Sequence, residues 1–142
     1  MSHELRFQPA PSELRRVRSE VRDAAAKLGA PERICDTAAL VVDELVNNAI
    51  EHGAVYRQHG HELGVRLAKL DGGFELVFHD PEMPEDEVSE LARALGNANE
   101  APSLENERGR GLFLLSVYLD QLQVGVDPDQ GGLSLRGVIT NG

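Results

Sequence analysis

The sequence is poor in cysteine and in aromatic residues. Cys35 is the only cysteine, tryptophan is absent, and aromatic residues make up 4% of the chain. A single cysteine cannot form an intramolecular disulfide, and the apolar neighbours of Cys35 predict a small buried side chain rather than a reactive thiol. Few aromatic rings are available to stack on nucleic-acid bases. The composition therefore disfavours a disulfide scaffold and a base-stacking protein.

Positive charge and long hydrophobic runs are lacking as well. The chain has 14 Lys and Arg against 24 Asp and Glu, a formal net charge of -10, and an acidic surface repels phosphate backbones and anionic lipids. No stretch approaches the ~18 consecutive apolar residues that suggest a membrane-spanning helix. The N-terminus shows no secretory signal pattern. These absences predict a cytoplasmic protein without direct contact to nucleic acid or to a membrane.

Hydrophobic periodicity predicts an α+β fold in a single domain over residues 1–142. Apolar residues recur at helical spacing in three segments, with Ser12 as the N-cap of the first: residues 12–28, 31–53 and 111–119. Five other segments alternate, as strands do: residues 4–7, 63–67, 74–80, 122–126 and 133–139. This order predicts a two-layer sandwich, in which three helices cover one face of a mixed, mostly antiparallel sheet. Residues 81–110 contain only a short amphipathic piece and are interpreted as an irregular loop.

The second helix carries polar residues within an otherwise apolar stretch. Glu44, Asn48 and His52 follow one another at intervals of four residues, so they lie along one slowly turning stripe of the helix. Carboxylate and carboxamide oxygens suit Mg²⁺, which keeps several waters and takes further ligands from substrate phosphates. The alternative is a solvated helix face with hydrogen bonds between residues four apart. Zinc is disfavoured, because His52 is the only preferred zinc ligand in the stripe.

Two more segments carry candidate ligand-binding residues. Gly109 and Gly111 alternate with Arg108 and Arg110 directly before an apolar helical segment, where free backbone amides and the helix N-terminus favour phosphate. The alternative there is a flexible loop followed by an ordinary helix start. Asp80 ends an apolar strand, where it can accept a hydrogen bond from a ligand amino group. The alternative for Asp80 is a turn-forming aspartate before a proline.

In this order and at these separations, the three segments resemble the nucleotide-binding motifs of the GHKL ATPase and kinase superfamily, which has the Bergerat fold. More narrowly, the chain resembles the anti-sigma factor serine/threonine kinases of bacterial partner-switching systems. The most specific match is E-x-x-x-N-A-I-x-H-G, which runs from Glu44 to Gly53. The resemblance covers nearly the whole chain.

The resemblance implies a role for each candidate residue. Glu44 corresponds to the general base, Asn48 to the Mg²⁺ ligand, and His52 lies with them in the nucleotide site. Asp80 corresponds to the aspartate that hydrogen-bonds the adenine amino group of ATP. The segment Arg108-Gly109-Arg110-Gly111 corresponds to the glycine-rich box beside the phosphates.

The same resemblance implies an ATP lid over about residues 81–108 and a function. It implies an ATP-dependent serine/threonine protein kinase that is also an anti-sigma regulator. The substrate implied is a STAS-domain anti-anti-sigma protein, and the second partner is a sigma factor or an equivalent regulator. A homodimer is also implied.

The loop after Asp80 departs from the family pattern. The residues that follow are Pro81-Glu82-Met83-Pro84, without the glycines usual there. Prolines restrict φ and remove backbone donors. This departure keeps an alternative open, a catalytically inactive partner-binding module that has the GHKL fold and a degenerate nucleotide site.

The first helix carries an arginine strip, Arg15, Arg18 and Arg22, at intervals of three and four residues. On an acidic protein this strip is either a docking surface for an acidic partner or a solvated face paired with Glu20 and Asp23.

Overall fold

A five-stranded sheet forms one layer of the protein. The computed structural model describes residues 2–96 and 114–141 of the chain. The strands are β1 (Ser2–Phe7), β2 (Leu63–Leu70), β3 (Gly73–Asp80), β4 (Gln121–Val126) and β5 (Leu133–Thr140). They lie in the order β1-β2-β3-β5-β4, and each neighbouring pair is antiparallel. The predicted α+β class is confirmed, and within the described ranges the sheet is antiparallel rather than mixed.

Helices form the second layer. They are α1 (Leu14–Lys27), α2 (Glu32–Gly53) and α3 (Glu85–Gly96), with a 3-10 turn at Pro11–Glu13 and a short helical segment at 114–118. The predicted N-cap at Ser12 is wrong, because Pro11 already opens the 3-10 turn after an extended Ala10. Of the helices in the described part of the chain, none has the length and hydrophobicity needed to cross a bilayer.

Helix α3 occupies part of the segment interpreted as an irregular loop. Its first turn is acidic, which favours a helix N-terminus, and Val88, Leu91 and Leu95 are buried. Three helices were predicted, whereas residues 2–96 and 114–141 contain four helical segments: α1, α2, α3 and the segment at 114–118. The remainder of the predicted lid and the start of the predicted third helix lie outside the described residues.

The core lies between one face of the sheet and the helices. Alternate residues of the central strands are buried, and Leu76 and Leu135 are 1% and 0% exposed. Helices α1 and α2 contribute Val21 and Val42, both 0% exposed. Cys35 is also buried, as predicted, and burial raises the pKa of its thiol. Helix α2 also contacts β3, and Arg57, shortly after the end of α2, reaches Asp80 at the end of β3.

Two arginines of the strip on α1 pair with carboxylates of α2. Arg18 Nε lies 3.5 Å from Asp43 Oδ1, and Arg22 Nε lies 3.2 Å from Asp36 Oδ1. The predicted pairing of these two arginines with carboxylates of their own helix is therefore wrong, because α2 presents acidic groups across the helix interface. Both arginine side chains remain about half exposed, so each pair contributes less than about 1 kcal/mol.

Candidate functional site

Glu44 and Asn48 lie one turn apart on α2. Asn48 is buried, with 8% of its surface exposed, and Glu44 is partly buried. Burial is the main cause that raises the pKa of Glu44, and the neighbouring charge of Asp43 raises it further. A carboxylate with a raised pKa is a better proton acceptor than an ordinary surface glutamate. His52 follows one turn later and is partly buried as well.

The interpretation of a solvated helix face applies to neighbouring residues. The Asn47 side-chain amide donates a hydrogen bond of 3.3 Å to Asp43 Oδ2, four residues away. Asn47 is exposed, and Asp43 also faces Arg18 of α1. The expected hydrogen bond between residues four apart therefore joins Asp43 and Asn47, while the magnesium interpretation of Glu44 and Asn48 stays a prediction.

Asp80 closes β3 with 0% of its surface exposed, and both carboxylate oxygens are engaged. Arg57 donates Nη1 to Oδ1 at 2.9 Å and Nη2 to Oδ2 at 2.5 Å. The Tyr56 hydroxyl donates to Oδ2 at 3.2 Å. The backbone N–H of Glu82 donates to Oδ1 at 3.2 Å, which is the turn contact expected of an aspartate before a proline. The carboxylate predicted to recognise a base thus accepts four hydrogen bonds from within the protein.

Arg57 joins this carboxylate to the end of α2. Its Nη2 also donates to the carbonyl oxygen of Ala49 at 3.3 Å, and its side chain is 13% exposed. Burial lowers the pKa of Arg57, but the hydrogen bond and charge of Asp80 outweigh that effect, so the pKa is raised overall. A Cβ on Gly53 would lie 2.5 Å from Arg57 Nε. Glycine at the last position of α2 therefore leaves room for the ion pair.

Glu82, in the turn after β3, accepts hydrogen bonds from the connection between α2 and β2, which also contains Arg57. Its Oε1 accepts hydrogen bonds from the backbone N–H groups of Gln58 at 3.1 Å and His59 at 2.8 Å. Its Oε2 accepts one from the N–H of His61 at 3.3 Å. Burial raises the pKa of Glu82, and these three donors lower it by more, so the pKa is lowered overall.

This lowered pKa makes Glu82 a source of pH-dependent stability. Its ionised form stabilises the fold above the ordinary value of 4.5, and the contribution is lost as pH falls through the lower value of the folded state. We expect Glu82→Gln to cost about 1 kcal/mol of unfolding free energy at neutral pH. Below an ordinary glutamate pKa the difference from wild type shrinks. Urea unfolding of both proteins at neutral and acidic pH measures this, and a difference that grows on acidification would contradict the role.

The connection between β4 and β5 approaches the end of β3. Gly131 and Gly132 have φ values of 74° and 79°, a region that favours glycine. A Cβ on Gly132 would lie 2.7 Å from the Cα of Pro81, whereas a Cβ on Gly131 would meet nothing within 4 Å. The Asp80–Pro81 backbone is therefore packed against Gly132 while the Asp80 side chain is held by Arg57.

The predicted nucleotide site has a magnesium end, at Glu44 and Asn48, and a base end, at Asp80, and only the magnesium end fits its ligand. Asn48 and Glu44 offer the oxygen groups that Mg²⁺ coordination and proton transfer use. The base end does not fit in this arrangement, because Asp80 is fully buried and already bonded. Across residues 2–96 and 114–141, no three His, Cys, Asp or Glu side chains gather to hold a metal ion, so Mg²⁺ would depend on Asn48, water and phosphate oxygens. The predicted segment Arg108-Gly109-Arg110-Gly111 lies outside the described residues.

Arg57 and Tyr56 belong to no motif and carry no periodic signal. They precede Asp80 by 23 and 24 residues. An indirect signal was available, since an aspartate that ends a buried strand needs a cationic or hydrogen-bonding partner. Only the folded chain shows which residues supply it.

Two comparisons with known proteins bear on family and fold. A family model described as a histidine kinase-like ATPase domain matches residues 7–136. A chain in the crystal structure of the SiaB–SiaC complex from Pseudomonas aeruginosa superposes with a TM-score of 0.73 at 18% identity, over 96% of this chain and 88% of that chain. At this identity the superposition shows the fold alone. No curated protein sequence matches. The family match confirms the resemblance to the GHKL superfamily, and the superposition confirms the fold.

Proposed function

Because the chain belongs to the histidine kinase-like ATPase domain family, we propose that it is an ATP-dependent serine/threonine protein kinase and an anti-sigma, partner-switching regulator. The proposed substrate is a STAS-domain anti-anti-sigma protein, and the second partner is a sigma factor or an equivalent regulator. The observation that carries the proposal is the pair on α2: Glu44, with its raised pKa, lies one turn from the buried carboxamide of Asn48.

Each candidate residue has a proposed part in phosphoryl transfer. Asn48 binds Mg²⁺, Glu44 accepts the proton of an incoming serine or threonine hydroxyl, and His52 borders the nucleotide. The segment Arg108-Gly109-Arg110-Gly111 holds the phosphates. When bound, the Mg²⁺ nucleotide supplies the phosphoryl group and neutralises its charge.

The regulatory part of the proposal concerns a partner protein. Support comes from the shared fold with a chain of the SiaB–SiaC complex, which contains two different proteins. Phosphorylation of the proposed partner adds about -1.5 to -2 charge, which opposes docking on a protein that is already acidic. A homodimer and an ATP lid over about residues 81–108 also belong to the proposal.

Isothermal titration of ATP with and without Mg²⁺ tests the nucleotide site. We expect Mg²⁺-dependent binding, and Asn48→Ala loses at least about tenfold in affinity, or about 1.4 kcal/mol. Asn47→Ala is the matched control, because this neighbouring asparagine is exposed and bonded to Asp43. Glu44→Gln keeps ATP binding and lowers the rate of partner phosphorylation by about 10²–10⁴-fold. Equal ATP affinity in the Asn47 and Asn48 variants would contradict the site.

A second function is favoured by the engaged carboxylate of Asp80. A partner-binding module without nucleotide chemistry has no need of a free base-recognising group, and Arg57 and Tyr56 occupy this one. This function predicts no ATP binding at millimolar concentration, either by the wild type or by a variant such as Arg57→Met, which removes the main donor to Asp80. Partner binding then persists without nucleotide.

A further inference from the structure

We propose that Arg57 is an internal competitor for the nucleotide base at Asp80, and that it thereby sets the affinity and base preference of the site. The inference rests on the proposed nucleotide-binding function. It assigns a role to a residue outside every motif of the sequence.

The first support is the complete engagement of the Asp80 carboxylate. A carboxylate has about four acceptor positions. Oδ1 accepts from Arg57 and the Glu82 backbone, and Oδ2 accepts from Arg57 and Tyr56. An incoming amino group therefore finds no free acceptor, and it must displace a donor before it can bind.

Arg57 is the donor whose displacement matters most. Its two contacts are charge-assisted and bidentate, the strongest geometry available to a carboxylate. Tyr56 contributes a single neutral contact at 3.2 Å, and the Glu82 N–H belongs to the turn of Asp80 itself. Displacing Arg57 frees one acceptor position on each oxygen of Asp80.

The connection that carries Arg57 is held in place at a second point. The carboxylate of Glu82 accepts three backbone hydrogen bonds from residues 58–61. The turn at residues 80–82 thus binds this connection twice, through a side-chain ion pair and through backbone amides. This arrangement keeps Arg57 beside Asp80 when no ligand competes.

The closed arrangement also contains an unfavourable feature. Among the described residues, Arg57 Nε is buried without a hydrogen-bond partner, and a buried unpaired donor is costly. This nitrogen faces Gly53. Moving the guanidinium into solvent would hydrate Nε, so part of the cost of opening is recovered. Arg57 is therefore a competitor that a ligand can displace.

Competition at Asp80 predicts a change in base preference as well as in affinity. A free carboxylate accepts a hydrogen bond from the amino group of adenine, whereas guanine carries a carbonyl oxygen at that position, which repels the carboxylate. With Arg57 in place, ATP and GTP bind with similar, low affinity. With Arg57 removed, ATP binds more tightly and GTP does not.

Two variants free Asp80 by independent routes. Arg57→Met removes the guanidinium, and Gly53→Ala introduces a Cβ into the space that the guanidinium occupies. Gly53→Ala leaves Arg57, Tyr56 and Asp80 unchanged, so it decides the matter if Arg57→Met does not fold. Arg16→Met, on the exposed side of α1, is the control. Urea unfolding first establishes that each variant is folded, and titration calorimetry then measures Mg²⁺·ATP and Mg²⁺·GTP binding.

We expect both variants to bind ATP at least about tenfold more tightly than wild type, with GTP affinity and the Arg16→Met control unchanged. A merely structural ion pair predicts the opposite sign, because its loss loosens the site for both nucleotides. ATP affinities at or below wild type in folded variants, with Asn48→Ala still impaired, would overturn the competition and leave the proposed function standing. Absence of ATP binding in every protein would overturn both.

Discussion

Asp80→Ala is expected to lower the free energy of unfolding by about 3–5 kcal/mol, because Arg57 then either stays buried without its counter-ion or gives up its packed position to reach solvent. Asp80 is 0% exposed and the Arg57 side chain 13% exposed, so the guanidinium reaches water only by leaving its position beside Asp80. Tyr56 also loses its hydrogen-bond acceptor on Asp80. Equilibrium unfolding in urea measures the loss.

A double variant distinguishes the loss of the buried charges from the loss of the packed side chains. Asp80→Leu with Arg57→Met removes both charges, and most of the lost stability is expected to return, since apolar residues replace a buried pair at little cost. The exposed pair of Arg6 and Glu4 serves as control, where Glu4→Ala changes stability by less than about 1 kcal/mol. A loss for Asp80→Ala no larger than for Glu4→Ala would contradict a stabilising role of the buried pair.

Gly132→Ala is the second substitution with a large expected effect. Its φ of 79° costs a side-chain-bearing residue about 1–2 kcal/mol. The new Cβ would also lie 2.7 Å from the Cα of Pro81 and still closer to the carbonyl oxygen of Asp80. Because these are backbone atoms, the overlap adds about 1–3 kcal/mol. The unfolding free energy therefore falls by about 2–5 kcal/mol in total.

Gly131→Ala is the matched control for this close approach. Its φ is 74°, nearly the same as that of Gly132, but a Cβ there meets nothing within 4 Å. We expect a loss of about 1–2 kcal/mol from the backbone conformation alone. The difference between the two alanine variants isolates the contact with Asp80 and Pro81, and equal losses would exclude it.

Helices and strands whose hydrophobic periodicity lies within one continuous segment were predictable from the sequence. The spacing of Val17 and Val21 predicts α1, and the alternation in β2 and β3 around Asp71-Gly72 predicts their hairpin. The same principle predicts α3 from Val88, Leu91 and Leu95 when the acidic first turn is weighed with them. The interpretation of that stretch as an irregular loop is wrong, because its apolar residues are buried as one face of α3.

In the candidate site, too, residues within one element were predictable and contacts between elements were not. Glu44 and Asn48 were predictable as a pair because both belong to α2, where a spacing of four residues places them one turn apart. The state of Asp80 was not predictable, although its position at the end of β3 was. Its partners come from a connection without periodicity, and their approach depends on how α2 packs against the sheet.

By itself, the sequence determined α1, α2 and the two hairpins of this protein, its acidic net charge and the motif from Glu44 to Gly53, because periodicity, charge and motif spacing act over short stretches of chain. Only the tertiary structure decided that the Asp80 carboxylate is engaged by Arg57 and Tyr56, and that Glu82 binds the backbone of residues 58–61. These contacts join segments more than 20 residues apart. They form because burying a carboxylate at the end of a strand requires donors, and the packing of α2 against the sheet places the donors of the adjoining connection within reach.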